Sequence, residues 1–334
     1  MPAEWEMHEA TWLTWPETLE FWPEIEVIES LYIEMIRTLI PGEIIHVLLS
    51  QNDSIKKLTS KLRDRLINLE KIFFHNIKTK DIWIRDYGPT FLVSNKPSIL
   101  IACLWKFNVW GEKYDMPDEP KVSRRIRDIL GVGDLTPDIV LEGGAIEVNG
   151  QGVCLTTEDC LLNANRNPRK NKTEMESYLK KYLGVRQVIW CRGDLQGDDT
   201  DGHIDNLARF VNKETIVCPW EEDPKDRNYE CLTANYEILK KTKGLNGKFF
   251  NIVKLPMPKP IMDGSSRLPA SYTNFYIGNA AVIVPVFDQP EDEKVLELLA
   301  RFFPHREIAP LQSKMLLTGN GGPHCVTQQQ PAVK

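Results

Sequence analysis

Glu24–Leu49 reads EIEVIESLYIEMIRTLIPGEIIHVLL, and the fold class turns on the spacing of its apolar residues. Ile25, Ile28, Tyr32, Met35, Ile36 and Leu39 fall on one face of a helix over 24–40, with Pro23 suited to its first turn. Pro41 and Gly42 then break the period, and 44–49 is a short β-rich run. A helix followed at once by a strand is the unit of an α/β chain.

The pairing recurs downstream. Ile55, Leu58, Leu62, Leu66 and Leu69 predict a helix behind Asn52 and Asp53 as cap candidates. Further helices are expected near 121–130, 172–183, 227–242 and 291–302. Strands are expected near 89–93, 98–104, 138–142, 145–149, 152–156, 186–191, 204–211, 215–218, 250–254, 274–278, 281–286 and 324–328. No Gly/Ser tract divides the chain and the Pro-rich piece 256–269 reads as a loop, so a single domain over 1–334 is expected. Repeated strand and helix units suit a doubly wound sheet, a barrel or a ring of modules, and periodicity leaves these open. There is no clean self-repeat, no GxGxxG after a strand and no GxxxxGK[ST].

The chain has 42% hydrophobic and 26% charged residues, ordinary for a globular protein, and no apolar stretch approaches the roughly 20 residues that span a bilayer. Glu4, Glu6 and Glu9 precede any apolar run, the wrong order for a secretory signal, so a cytoplasmic protein without a membrane is expected. Seven cysteines in no zinc-finger spacing are expected to be mostly reduced core residues. A net charge of −6 without a block of Lys or Arg speaks against nucleic acid.

Four segments are too rich in polar residues, Gly and Trp for plain core: DIWIRDYGP (81–89), EGGAIE (142–147), GDDTDGHIDN (197–206) and GNGGPHCVTQQQ (319–330). Cys325 ends a Gly-rich turn that could expose N–H groups to a thiolate; an inert packing thiol is the plainer alternative. Its neighbour His324, facing the other way on a strand, is expected to matter little. His203 and Asp205, two apart, share a face if the segment is extended; a solvated acidic turn is the alternative, and a metal site ranks below both. Asp86 sits beside Trp83 at a turn and could simply pair with Arg85, while Glu142 ends a strand, where a solvated carboxylate is equally at home. Surplus carboxylates beside a Cys and a His match a guanidinium, whose five N–H donors form a planar fork for bidentate partners.

These segments resemble the agmatine deiminase family, within the guanidino-modifying superfamily that includes the peptidylarginine deiminases. The likeness runs through MPAEWEMHEATWLTWP (1–16), DIWIRDYGP, KFNVWGEKY (106–114), LEGGAIE (141–147), LLNANRNP (161–168), GDDTDGHIDNLARF, LPASYTNF (268–275) and the Cys325 turn. It implies a five-bladed, pseudo-fivefold α/β propeller, the pentein fold, with the site at the centre of the ring. It further implies Cys325 as nucleophile, His203 as general acid and base, and Asp86 and Asp205 as guanidinium ligands. Glu142, Trp83 and Trp110 are implied as further substrate-binding groups. The family more often shows Ile-His-Cys where this chain has Pro323, His324 and Cys325; activity is still expected.

The resemblance implies hydrolysis of agmatine to N-carbamoylputrescine and ammonia through an amidino-cysteine, with no metal and no organic cofactor. A deiminase of arginine residues, an amidinotransferase and an inactive guanidinium-binding protein are the rivals. Whether the chain forms a homo-oligomer is left open.

Overall fold

The computed structural model describes residues 1–17, 22, 24–50, 52–95 and 97–333. Pro23 lies outside them. The helix it was expected to open spans Ile25–Leu39 and buries Ile28, Tyr32, Ile33, Met35, Ile36 and Leu39, the face that the spacing marked. Each such side chain is worth roughly 1.5–3 kcal/mol when fully buried. The strand after it is Ile44–Leu49.

Strand and helix build one motif several times over. Thr90–Asn95 pairs antiparallel with Ser98–Cys103, which pairs parallel with Gly133–Leu135. Glu147–Val148, Val153–Thr157 and Gln187–Cys191 repeat that order, as do Arg209–Asn212, Thr215–Trp220 and Asn251–Pro256. Tyr276–Ile277, Ala281–Val286 and Glu307–Gln312 do so again. Each parallel pair needs a crossover, and helices Val122–Leu130, Lys172–Leu183, Tyr229–Lys241 and Pro290–Ala300 supply them.

The remaining sheet joins the two ends of the chain. Gln328–Pro331 pairs antiparallel with His8–Thr14, which pairs parallel with Ile44–Leu49, and that strand with Ile72–Asn76. The result is the five-bladed α/β propeller, closed by N- and C-terminal strands in one blade. No helix among the described residues is long and apolar enough to cross a membrane.

Several expectations need correction. The strand near 138–142 is a single bridge between Lys106 and Val140. The helix read out to Leu69 begins at Asn52 itself and stops at Asp64, and Leu66 lies beyond it, 94% exposed with φ of 57°. The segments read as strands over 204–211 and 324–328 become strands only at Arg209 and Gln328, because turns occupy what precedes them. The loop at 256–269 carries a short hairpin, Met262–Asp263 with Ser266–Arg267. His8–Thr14 was missed: nearly all of it is buried, so it lacks the alternation that marks a half-exposed strand.

Candidate active site

In each blade a short irregular turn leads into the innermost strand, and these turns carry the polar residues. Asp86 lies in Ile84–Tyr87 ahead of Thr90, and Glu142 precedes the turn Gly143–Ala145 ahead of Glu147. His203 and Asp205 flank and enter Ile204–Asn206 ahead of Arg209, Asn274 stands ahead of Tyr276, and Cys325 ahead of Gln328. A turn cannot satisfy all its own backbone groups internally, so buried turns recruit side chains and neighbouring blades.

The turns converge on one point. A Cβ built on Gly144 would lie 2.5 Å from His203 Nδ1, 3.0 Å from Asp86 Oδ1 and 3.1 Å from Asp205 Oδ2. Asp86 accepts from the Gly144 N–H and from Trp110 Nε1, both at 2.9 Å. Cys325 Sγ stands 3.6 Å from Asp205 Oδ2 and 3.2 Å from Asn274 Nδ2, which donates to it. Asp86, Glu142, His203, Asp205 and Cys325 are all buried.

Gly144 is therefore glycine for want of space. Gly144→Ala is expected to push the His203 ring aside and lower kcat/KM about a hundredfold, the scale of an ångström's misplacement, while the circular dichroism stays native. Wild-type kinetics in that variant would remove this point of convergence.

Burial and charge act against each other here. Burial raises the Asp86 carboxyl, partly offset by His203, and leaves it above its ordinary range. Burial alone would pull His203 down, but Asp86, Asp205, Glu142 and Asp198 outweigh it, so the imidazole titrates above its ordinary value and favours the charged form. For Asp205 burial is outweighed by the hydrogen bond and charge of His324, which hold it below the usual carboxylate range. Burial, then Asp205 and Asp86, push the Cys325 thiol well up. Within this cluster, His203 Nε2 and Asp205 Oδ1 are buried with no hydrogen-bond partner among the described residues.

Beside this point opens a cavity of about 220 Å³, lined by Trp22, Trp83, Trp110 and Tyr114 with Asp81, Asp86 and Cys325. Burial raises Asp81 to about 6 even though it accepts from Ile82 N–H and from the Trp22 and Trp83 indoles. Trp110 sits in a run of four positive φ angles, Val109 57°, Trp110 55°, Gly111 90° and Glu112 63°. Left-handed backbone costs a non-glycine residue roughly 1–2 kcal/mol, and here the Asn108 side chain accepting from the Gly111 N–H and the Trp110 bond to Asp86 hold it.

Glu142 is no solvated strand end: Arg166 binds it at 2.5 Å and reaches Asp201 at 2.8 Å. Glu142, Cys160 and His203 offer atoms within 4.8 Å of one another, a set that could contact one ion. Arg166 already balances Glu142, and burial followed by Glu142 pushes the Cys160 thiol well up, both of which disfavour a cation there.

The expected groups thus come together, but for partly different reasons. His203 and Asp205 meet around a 3-10 turn, where a shared strand face was expected. Arg85, offered as a salt-bridge partner of Asp86, turns away to Gln329, the His324 carbonyl and Glu4. Gly319 and Gly321 make room for the Trp22 and Trp83 rings, and Gly319 lines the cavity beside them. The Cys325 N–H donates to the Gly322 carbonyl, and carboxylates and the Asn274 amide, not a cation, adjoin the thiol. His324, expected to matter little, is buried with Nδ1 2.8 Å from Asp205. Asn274 and Arg166 stood in segments marked by resemblance alone, among other polar residues that gave neither a separate signal. The described cysteines are all free and buried, as expected of core thiols.

Comparison with known proteins shows the family. The description of Porphyromonas-type peptidyl-arginine deiminase fits residues 1–331. Agmatine deiminase of Medicago truncatula is 35% identical, over 100% of this chain and 96% of its own. A Cys-to-Ser variant of C. jejuni agmatine deiminase with substrate bound is 33% identical and superposes with a TM-score of 0.90 over 100% of this chain and 96% of its own. Agmatine deiminase of Enterococcus faecalis is 30% identical, with a TM-score of 0.87 over 99% and 95% of the two chains. The chain belongs to the Porphyromonas-type peptidyl-arginine deiminase family, and these full-length relatives within it are agmatine deiminases.

Proposed function

We infer that this protein is an agmatine deiminase, hydrolysing agmatine to N-carbamoylputrescine and ammonia, with residues 1–334 acting as one catalytic domain. The carrying observation is the meeting of a thiol, an imidazole and two carboxylates in one buried place, with Asp205 Oδ1 and His203 Nε2 left unpartnered. A guanidinium is planar, cationic and rich in N–H, so it supplies what those carboxylates lack.

In this reading Asp86 and Asp205 hold the guanidinium, and its charge offsets the carboxylates that keep Cys325 protonated. With that offset the Cys325 thiol gives its proton to solvent, and the thiolate attacks the central carbon, forming a C–S bond as the C=N π electrons move onto nitrogen. The C–N bond to the leaving nitrogen breaks as His203 gives that nitrogen its proton, and ammonia departs from an amidino-cysteine. His203, now neutral, takes a proton from water, which attacks the same carbon; the C–S bond breaks and Cys325 returns. No step needs a metal or organic cofactor. Glu142, fixed by Arg166, supports the charged imidazole, and Asn274 donates to the sulfur.

The relatives' substrate favours agmatine over a peptide, and so does the cavity. Its volume of about 220 Å³ falls below the roughly 300–1,000 Å³ of drug-sized pockets. Asp81 and Asp199 line it, attractive to the ammonium of agmatine and repellent to the carboxylate of free arginine. The free, buried thiols suit a reducing compartment such as the cytoplasm.

Ammonia release should be measured from agmatine, arginine and a peptide with internal arginine. Selective release from agmatine is expected. Preference for the peptide would overturn the substrate, and binding of agmatine without release would make this a guanidinium-binding protein.

A further inference from the structure

Residues 1–7 precede the first strand, yet Glu4 is only 4% exposed and reaches the axis of the ring. Its Oε1 accepts from Arg209 Nη2 at 2.8 Å and from the Ile277 N–H at 2.9 Å. Its Oε2 faces His324 Nε2 at 2.9 Å and Arg85 Nη2 at 3.5 Å. His324 Nδ1 faces Asp205 Oδ2 at 2.8 Å. Arg209 also binds Glu147 at 3.0 Å.

We propose that Glu4 is a positioning residue for guanidinium binding: with Asp205 it holds His324 as an imidazolium, and that imidazolium fixes Asp205 with Oδ1 turned to the substrate. The proposal rests on the guanidinium reading of the site. An imidazole nitrogen can donate to an ionised carboxylate only if it carries a proton, and here both nitrogens face carboxylate oxygens. The charges close as well. Glu4, Glu147 and Asp205 stand against Arg85, Arg209 and His324, so a charged His324 leaves the buried group neutral.

The geometry assigns each Asp205 oxygen a task. His324 takes Oδ2, while Oδ1 is buried and unpartnered. Glu4 is itself held in the carboxylate form: burial opposes this, but Arg209, His324 and Arg85 outweigh it. The second ligand carboxylate, Asp86, has no such support from the axis and is fixed by Trp110 and Gly144. A residue remote in sequence from every segment that carries the chemistry thus sets the orientation of one guanidinium clamp.

The test uses 15N-histidine NMR with kinetics, the His324 signals being assigned by their loss in His324→Gln. Both His324 nitrogens of the wild type are expected in the imidazolium range at neutral pH; a neutral ring there overturns the proposal. In folded Glu4→Gln one nitrogen is expected to move to the unprotonated range and KM for agmatine to rise about tenfold or more, with a smaller change in kcat. An unchanged KM with native melting overturns the positioning role and leaves Glu4 as scaffold. If Glu4→Gln does not fold, agmatine added to Cys325→Ser should shift His324 Nδ1 as Asp205 meets the cation, and no shift overturns the proposal. Wild-type turnover of agmatine separates the two readings: without it the guanidinium reading fails, with it only the role of Glu4 is at stake.

Discussion

Cys325→Ser should abolish ammonia release from agmatine, by about 10⁴-fold or more, while agmatine still binds. The size follows from losing a covalent nucleophile: a serine hydroxyl at this place has no base comparable to thiolate chemistry, and single nucleophile losses in coupled sites cost up to about 10⁶ in kcat. Binding survives because Asp86 and Asp205 are untouched. Isothermal titration of the variant and an ammonia assay decide it, and residual turnover above about 1% of wild type would move the nucleophile elsewhere. The same thiol carries a pH signature. Burial and the two carboxylates raise it in the free enzyme, so the thiolate fraction grows tenfold per pH unit well past neutrality. Iodoacetamide labelling of Cys325 should therefore still be climbing at pH 9 without ligand, and a plateau near pH 7 would contradict the raised thiol.

His203→Asn is expected to lower kcat by about 10²–10⁴, the usual worth of a positioned acid and base. Both halves of the reaction depend on the ring: it must be charged to release ammonia and neutral to activate water. Asp86, Asp205, Glu142 and Asp198 outweigh burial and bias the ring toward its charged form in the free enzyme, which suits the first half. Loss of the proton donor should stall the reaction before the amidino-cysteine, so intact-mass spectrometry of the quenched variant should find Cys325 unmodified. Accumulation of the adduct would restrict His203 to the water step, and turnover above about a tenth of wild type would remove it from the chemistry.

The sequence made the α/β units legible because their helices are half-buried: Ile28, Tyr32, Met35, Ile36 and Leu39 mark a stripe. The ring was not legible from spacing, since closure depends on Gln328–Pro331 meeting His8–Thr14 across the length of the chain. The blades share a geometry but not a sequence. Their inner turns read RDYGP, EGGAIE, HIDN, SYTN and PHC, alike only in being short and polar.

The four reactive groups stood out by residue type, and the resemblance assigned their roles. What could not be read were the partners that act across blades: Asn274 on the sulfur, Arg166 on Glu142, His324 on Asp205 and Glu4 on His324. An Asn or Arg among the other polar residues of a loop has many plain explanations, and only its neighbours in space distinguish them. The discounting of His324 failed for a specific reason. Strand geometry at 324–325 would send the two side chains to opposite faces, whereas the turn found there lets both face the centre.

Closure of the ring also orders events during synthesis. The strand Gln328–Pro331 is made after the other blades, and Cys325 leaves the ribosome only shortly before it. Until then four blades can pair their own hairpins, but His8–Thr14 lacks its inner partner, and neither Asp205 nor Asn274 has a sulfur beside it. Chain order thus places the nucleophile after both guanidinium ligands, and the strand that closes the ring after the nucleophile.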